Sequence, residues 1–480
     1  MPLPKRNFIL QSSYQLLLIA VPLLTTPYLS RVLGASQVGV YSYTYAITNY
    51  FVIFATMGMS TYGVRAISEC GDDRERRSRV FWSAFASQAL VGSVVVFAYC
   101  AYAALAPQGG LLICLIWGLW VIAAVGDVSW LMFGAEEFLV PTLRAAVTRI
   151  AGVVVIFSFV KSSEDLWVYV LSIAGMYFVN QLLLWPFVPR LVDFVFPSWR
   201  EVVAHLLPNF RLFLPVVAIN LYTSLDKVLL GVMSDMSQVG YFEYSDKLTR
   251  MPMAVITAMG TVMMPRMVGE LKRGGRESAL ALLEKSTNLM LILAFAFSFG
   301  IIAIAPDFAP IFLGAEFADC GSIMEVLAVI IPVVSISNVL GRQYLIPTFK
   351  DKQFTMSVFI GSVVNIVVVL AALPRMGAMG AAVATVIAEL SVLATQVFLV
   401  RDEVPVGKFI LNSFPFFLFG VVMAITVRTA SNLFYSLWGM SAIMLAMEIL
   451  LGVLVYGSLT ILWTFVTRNQ SMHNKEKGIK

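Results

Sequence analysis

The chain has 480 residues, of which 59% are hydrophobic and only 13% charged, with a mean hydropathy of +0.85. A soluble domain averages about a quarter charged residues, and a single core stops growing beyond roughly 250–300 residues, so a water-surrounded globule is excluded. The net charge of +5 reports topology and lipid headgroups, and no nucleic acid is implied.

Apolar runs of about twenty residues recur along the whole length, which is what a helix needs to cross the hydrocarbon layer. Segments such as Leu289–Ala305 and Met444–Leu462 lack the period-two alternation of a barrel strand, so the spans read as helices. Polar breaks divide the chain into about fourteen spans of roughly twenty residues. They start near Phe8, Gly39, Val80, Leu111, Pro141, Leu166, Phe210, Tyr241, Ser286, Ser322, Phe354, Gly380, Phe409 and Ser436. The first follows Met1-Pro-Leu-Pro-Lys-Arg and is too long for a cleaved signal, so it is expected to remain as a span. Cys70, Cys100, Cys114 and Cys320 have no pairing or metal spacing and read as small hydrophobes. No metal or cofactor is expected.

Lysine and arginine set the orientation. With Lys5 and Arg6 in the cytoplasm, the even-numbered breaks hold Arg65/Arg74/Arg76/Arg77/Arg79, Arg144/Arg149, Arg190/Arg200, Lys272/Arg273/Arg276, Lys350/Lys352 and Arg401/Lys408. The tail adds Arg468, Lys475, Lys477 and Lys480. Roughly four-fifths of all Lys and Arg then fall on one side, and both termini are expected in the cytoplasm. Two of these breaks, Trp199–Leu207 and Glu277–Lys285, are amphipathic and read as helices in the headgroup plane.

An internal repeat is visible. Ser36-Gln-Val-Gly39 opens the second span and Ser237-Gln-Val-Gly240 opens the eighth. Met57-Gly58 matches Met259-Gly260, and both spans end in an arginine, Arg65 and Arg266. An even number of spans separates the copies, so they share an orientation, as in parallel transporter repeats about an axis along the membrane normal.

Ionisable residues within spans are expensive and mark interiors or wet cavities. They are Arg31, Asp127, Asp226, Lys227, Glu243, Asp246, Lys247, Arg250, Glu389 and Glu448. The densest group belongs to spans seven and eight. It reads either as a cation cluster for an anionic substrate such as a diphosphate, or as self-neutralising pairs, Glu243 with Lys247 and Asp246 with Arg250. Tyr41, Tyr43, Tyr45 and Tyr50 read as an interfacial aromatic belt or as a platform for stacking sugar rings. Asp127 and Glu389 are candidates for proton relay or for ordering a helix contact. Pro22, Pro27, Pro215 and Pro252 read as kinks or hinges. His205 and His473 are assigned no chemistry.

Four blocks carry a family resemblance. They are Tyr14-Gln15 with Pro22–Gly34 and Gly39-Val-Tyr-Ser-Tyr; Asp127-Val-Ser-Trp130 with Gly134 and Glu136; Pro215 through Gly231 to Glu243; and Asn338–Pro347. Together they resemble the Wzx-type O-antigen and exopolysaccharide flippases. The resemblance implies the multidrug/oligosaccharidyl-lipid/polysaccharide exporter fold: an all-α polytopic membrane protein with two six-helix lobes around a central cavity. Those lobes would be residues 1–200 and 201–402, related by a pseudo-twofold along the membrane normal, with two further helices in 403–480. It implies movement of an undecaprenyl-diphosphate-linked oligosaccharide from the cytoplasmic to the periplasmic leaflet of the bacterial inner membrane by alternating access.

The cation-lined cavity of related flippases maps to Arg31, Lys227, Lys247 and Arg250, with Tyr41 and Tyr45 for sugars. Asp127, Asp226, Glu243, Asp246 and Glu389 would serve as charge partners or in ion coupling. A polysaccharide polymerase and a chain-length regulator are the implied partners. The alternative within the same fold is a multidrug and toxin efflux antiporter, for which a net acidic cavity is expected. No enzyme is expected, because a large periplasmic loop, a catalytic histidine within a span and a phosphate loop are all missing from the sequence.

Overall fold

A computed structural model describes residues 3–105, 109–273 and 275–477. The side chains of Lys5, Arg6, Tyr14, Gln15, Pro215, Lys272, Arg468, His473, Lys475, Lys477 and Lys480 lie outside what is described. Among the described residues all regular structure is helical. Nine helical stretches among the described residues are long and apolar enough to cross a membrane, or ten if one pair bent by 48° is a single span; the sequence suggested about fourteen spans.

The chain divides into two compact units, 1–240 and 241–480. The expected lobes, 1–200 and 201–402, count helices and place that division elsewhere. The first unit holds α1 (Leu3–Thr56), α2 (Met59–Ser68), α3 (Arg74–Leu105), α4 (Leu111–Val125), α5 (Ser129–Gly134), α6 (Leu139–Phe159), α7 (Leu166–Leu182), α8 (Val188–Leu191), α9 (Trp199–Ala204) and α10 (Leu206–Met233). α11 (Met236–Arg250) begins in the first unit and ends in the second. The second unit continues with α12 (Met253–Arg273), α13 (Gly275–Phe312), α14 (Cys320–Ala328), α15 (Ile330–Asn338), a π-helical stretch Val339–Leu345, α16 (Asp351–Val400), α17 (Val406–Trp438) and α18 (Ala442–Lys477).

Two helices are too long to cross once. The 54 residues of α1 would span about 80 Å if straight, against about 30 Å of hydrocarbon. Each such helix breaks at a glycine held at positive φ, Gly34 (φ 74°) in α1 and Gly377 (φ 52°) in α16. A side chain there would strain the backbone. Similarly, Gly439 (φ 61°) ends α17, which pushes the last helix to Ala442, past the expected start near Ser436.

Within each unit the basic breaks gather at one end. In the first, Arg74 makes a two-pronged ion pair to Asp193 at 2.8 Å for each nitrogen and also donates to the Arg190 and Pro189 carbonyls. Arg74 thereby holds the Asp193 carboxyl below the usual carboxylate range. Ser68 donates to the Gly134 carbonyl at 3.1 Å, bringing the third basic break to the same end. In the second unit, Lys350 and Tyr344 donate to Glu403, which keeps that carboxyl low. Arg276 donates to the Asp402 and Glu403 carbonyls. Breaks that share an end are separated by an even number of crossings, which is the alternation the charges suggested.

α9 is the short helix expected at Trp199, closed by a capping box between Ser198 and Glu201. The second expected in-plane helix, Glu277–Lys285, is instead the opening of α13. Its apolar stripe, Ala279 and Leu283, packs in the core with Met290 and Leu340, so protein rather than headgroups covers it. Outward positions such as Val94, Phe97, Phe359, Val367, Val453 and Ile461 are exposed and apolar, the pattern of a lipid-facing surface.

The two Ser-Gln-Val-Gly copies meet each other within the first unit. A Cβ on Gly39 would lie 1.7 Å from the Met236 carbonyl oxygen, and one on Gly240 would lie 2.2 Å from that of Ala35. Met236 occupies in the second copy the place of Ala35 in the first. Each glycine therefore touches the counterpart of the residue that the other touches, the reciprocity of a local two-fold. Small residues four apart let two membrane helices approach backbone to backbone.

Candidate functional site

In the first unit the tyrosines of α1 pack into an aromatic cluster. Helical spacing puts Tyr41 and Tyr45 on one face, with ring centroids 5.9 Å apart. Tyr41 meets Tyr169 at 4.5 Å and Trp117 at 5.8 Å; Tyr45 stacks on Trp120 at 4.9 Å, and Trp120 stacks on Tyr177 at 4.6 Å. The indole N–H of Trp117 donates to Thr44 Oγ1 at 3.0 Å, which fixes the first ring. Trp117 is fully buried, while Tyr41 and Tyr45 are half-buried and keep part of their surface open. The result is a tiered aromatic cluster drawn from α1, α4 and α7. Sequence reasoning missed Trp117, Trp120, Tyr169 and Tyr177. Their signal was spacing: Trp117 and Trp120 are three apart and Tyr169 and Tyr177 eight apart, each pair on one helix face.

The charged candidates of this unit are dispersed. Arg31 is exposed at the end of the first arm of α1 and donates to the Pro27 carbonyl at 2.9 Å. Asp226 on α10 is buried, at 4% exposure, and lies within electrostatic reach of Tyr50 on α1. Tyr50 donates to the Asn220 carbonyl at 3.4 Å, and the Asn49 and Asn220 amides pair at 3.3 Å. Lys227 follows Asp226 and is half-buried.

Asp127 shapes the chain break between α4 and α5: its Oδ1 accepts from the Ser129 N–H at 2.8 Å. Its carbonyl accepts from Gln88 Nε2 at 3.1 Å and from Trp130 Nε1 at 2.9 Å. That is a local turn role. His205, given no role from sequence, clamps the helices beneath: Nδ1 is 2.5 Å from Tyr62 Oη and Nε2 is 2.8 Å from Ser83 Oγ. Burial pushes the His205 imidazole below its ordinary value and so favours the neutral ring.

In the second unit α11 carries the charges. Arg250 Nε is 2.5 Å from Asp246 Oδ1, one turn back along the helix. The Lys247 ammonium lies 5.7 Å from the Tyr244 ring centroid, within cation–π range. Glu243 is half-buried on the same helix. Glu389 is 7% exposed on the second arm of α16. It neighbours Ala388, whose carbonyl oxygen would meet a Cβ on Gly361 at 3.3 Å where the arms pack. Two grooves among the described residues lie elsewhere. One of about 530 Å³ is lined by Asn288, Pro415, Phe416 and Trp463; the other, of about 320 Å³, lies between α6 and α7.

Comparison with known proteins places the chain. Residues 5–269 match the family described as "Polysaccharide biosynthesis protein". A protein of Escherichia coli (strain K12) named as an O-antigen transporter is 23% identical over 410 residues, covering 83% of this chain and 97% of that one. One of Shigella dysenteriae with the same name is 20% identical, covering 79% and 93%. Among solved structures, "Lipid II flippase MurJ, inward closed conformation" is similar with a TM-score of 0.79 at 16% identity, covering 95% of this chain and 98% of that one. An inward-facing multidrug resistance MATE family transporter of the MOP superfamily gives 0.61 at 15% identity, covering 81% and 99%. The all-helical exporter fold implied by the sequence motifs is therefore the fold of this chain.

Proposed function

The chain belongs to the polysaccharide biosynthesis protein family, and on that premise we propose that it carries an undecaprenyl-diphosphate-linked oligosaccharide repeat unit across the bacterial inner membrane. The relatives named O-antigen transporter and the lipid flippase fold support lipid-linked oligosaccharide movement in general. The observation that carries the finer reading is the tiered aromatic cluster around Tyr41 and Tyr45. Half-open rings held rigid by buried tryptophans are surfaces on which the apolar faces of sugars stack.

In this reading the diphosphate is held by cations among Arg31, Lys227, Lys247 and Arg250. Arg250 offers a planar fork suited to phosphate oxygens, and Asp246 orients that fork until substrate arrives. Alternating access moves the headgroup while the lipid tail stays in the bilayer. Breaks rich in arginine face the cytoplasm, as do both termini. Efflux of cationic drugs shares the fold but leaves the family membership unaccounted for.

The test is loss of the gene. One surface polysaccharide should disappear while lipid-linked repeat units accumulate on the cytoplasmic face. Unchanged polysaccharide together with altered sensitivity to cationic drugs would replace this reading with efflux.

A further inference from the structure

Glu448 on α18 is fully buried, at 0% exposure, and neither of its carboxylate oxygens has a hydrogen-bond partner. Asp307 of α13 and Ser431 of α17 face it across the junction of three helices. Ser431 donates to Asp307 Oδ2 at 3.0 Å and also lies within hydrogen-bonding reach of Glu448. The nearest cation on α17, Arg428, is committed to Glu325 and to the Ile302 carbonyl. Tyr456, two turns along α18, donates to the Ile292 carbonyl at 2.7 Å.

A bare carboxylate in this setting costs several kcal/mol, and a second one beside it costs more. A metal ion would need further ligands, and among the described residues no group of three or more His, Cys, Asp or Glu side chains could hold one. We propose that Glu448 and Asp307 form a proton-binding site, in which a single proton on Glu448 is donated to the Asp307 carboxylate. The remaining negative charge rests on Asp307 and is held by Ser431. Two carboxyls that share a site take up one proton together.

The site lies one to two turns inside the ends of its helices. Asp307 is five residues from Phe312, Ser431 seven from Trp438 and Glu448 six from Ala442. These ends are opposite the basic breaks at Arg276 and Glu403. A proton reaching the site from that face would cross one to two helical turns. Loss of the proton would place two negative charges side by side in low dielectric and drive α18 away from α13.

Infrared spectroscopy of the full chain in lipid vesicles tests the site. A carboxylic C=O stretch sensitive to deuterium should be present at neutral pH. It should vanish in Glu448→Gln, shift to higher frequency in Asp307→Asn, where the acceptor is weaker, and persist in the exposed control Glu277→Gln. Glutamine is isosteric with the protonated acid, so Glu448→Gln should assemble normally. A band unchanged in Glu448→Gln would overturn the proposal. So would a wild-type band abolished by sodium ions at constant pH, which would assign the site to sodium.

Discussion

Two stretches of this molecule share a sequence motif and carry different side chains around it. The second arm of α1, from Ala35, and α11, from Met236, share Ser-Gln-Val-Gly and keep their buried positions in step. Val38 and Val239, Tyr43 and Tyr244, Thr44 and Ser245, and Thr48 and Thr249 are all buried. The half-buried positions have parted. Where α1 has Tyr45 and Asn49, α11 has Asp246 and Arg250, and the buried Ala46 is replaced by the half-buried Lys247. Packing constrains the inner face, because a misplaced methyl in a close-packed contact has nowhere to go. Beside that face one copy carries Tyr45 and the other the ion pair of Asp246 and Arg250.

The largest effect should come from breaking what the copies share. In Gly39→Ala or Gly240→Ala the new methyl meets a backbone carbonyl, which cannot rotate away. Either variant should lose its monodisperse peak in detergent gel filtration. Gly457→Ala, with nothing within 4 Å of the new atom, should keep it. Normal behaviour of Gly39→Ala would remove the reciprocal contact from the account.

Next comes the ionic copy. If Asp246 and Arg250 exist only to neutralise each other, removing one takes away the other's neutralising partner one turn along, and removing both restores the protein. If Arg250 grips phosphate, the double variant stays inactive. We expect Arg250→Gln, and Asp246→Asn combined with Arg250→Gln, to abolish polysaccharide export at matched membrane abundance. Arg250→Lys should retain only part, since it keeps charge without the fork. Recovery in the double variant would make the pair structural.

The smallest effect belongs to the aromatic copy. Each ring contact contributes about 0.5–1.5 kcal/mol, so Tyr45→Leu should slow export several-fold at unchanged abundance, and Tyr45→Phe much less. Equal export by Tyr45→Leu and wild type would leave the cluster as packing alone.

Much of this was legible in the chain. Hydropathy and the lysine and arginine bias depend on local composition, so the helical membrane class and the sharing of ends by the basic breaks could be read directly. The repeat was legible as four identical residues, and the i, i+4 spacing made the Asp246–Arg250 pair available. What could not be read is where side chains distant in sequence meet. Glu277–Lys285 has the pattern of an in-plane helix, and only the packing of Ala279 and Leu283 with Leu340 made it part of a span. Trp120 and Tyr177 are far apart in sequence until α4 lies against α7. The turn contact of Asp127 with Ser129 at the α4–α5 break was likewise not legible. Glu448 is one acid in an apolar run, and the helix junction with Asp307 and Ser431 decided what surrounds it. Composition and periodicity determine what each segment is, because lipid acts on every residue alike. Partnership is decided only in three dimensions, because it depends on which helices pack side by side and at what rotation.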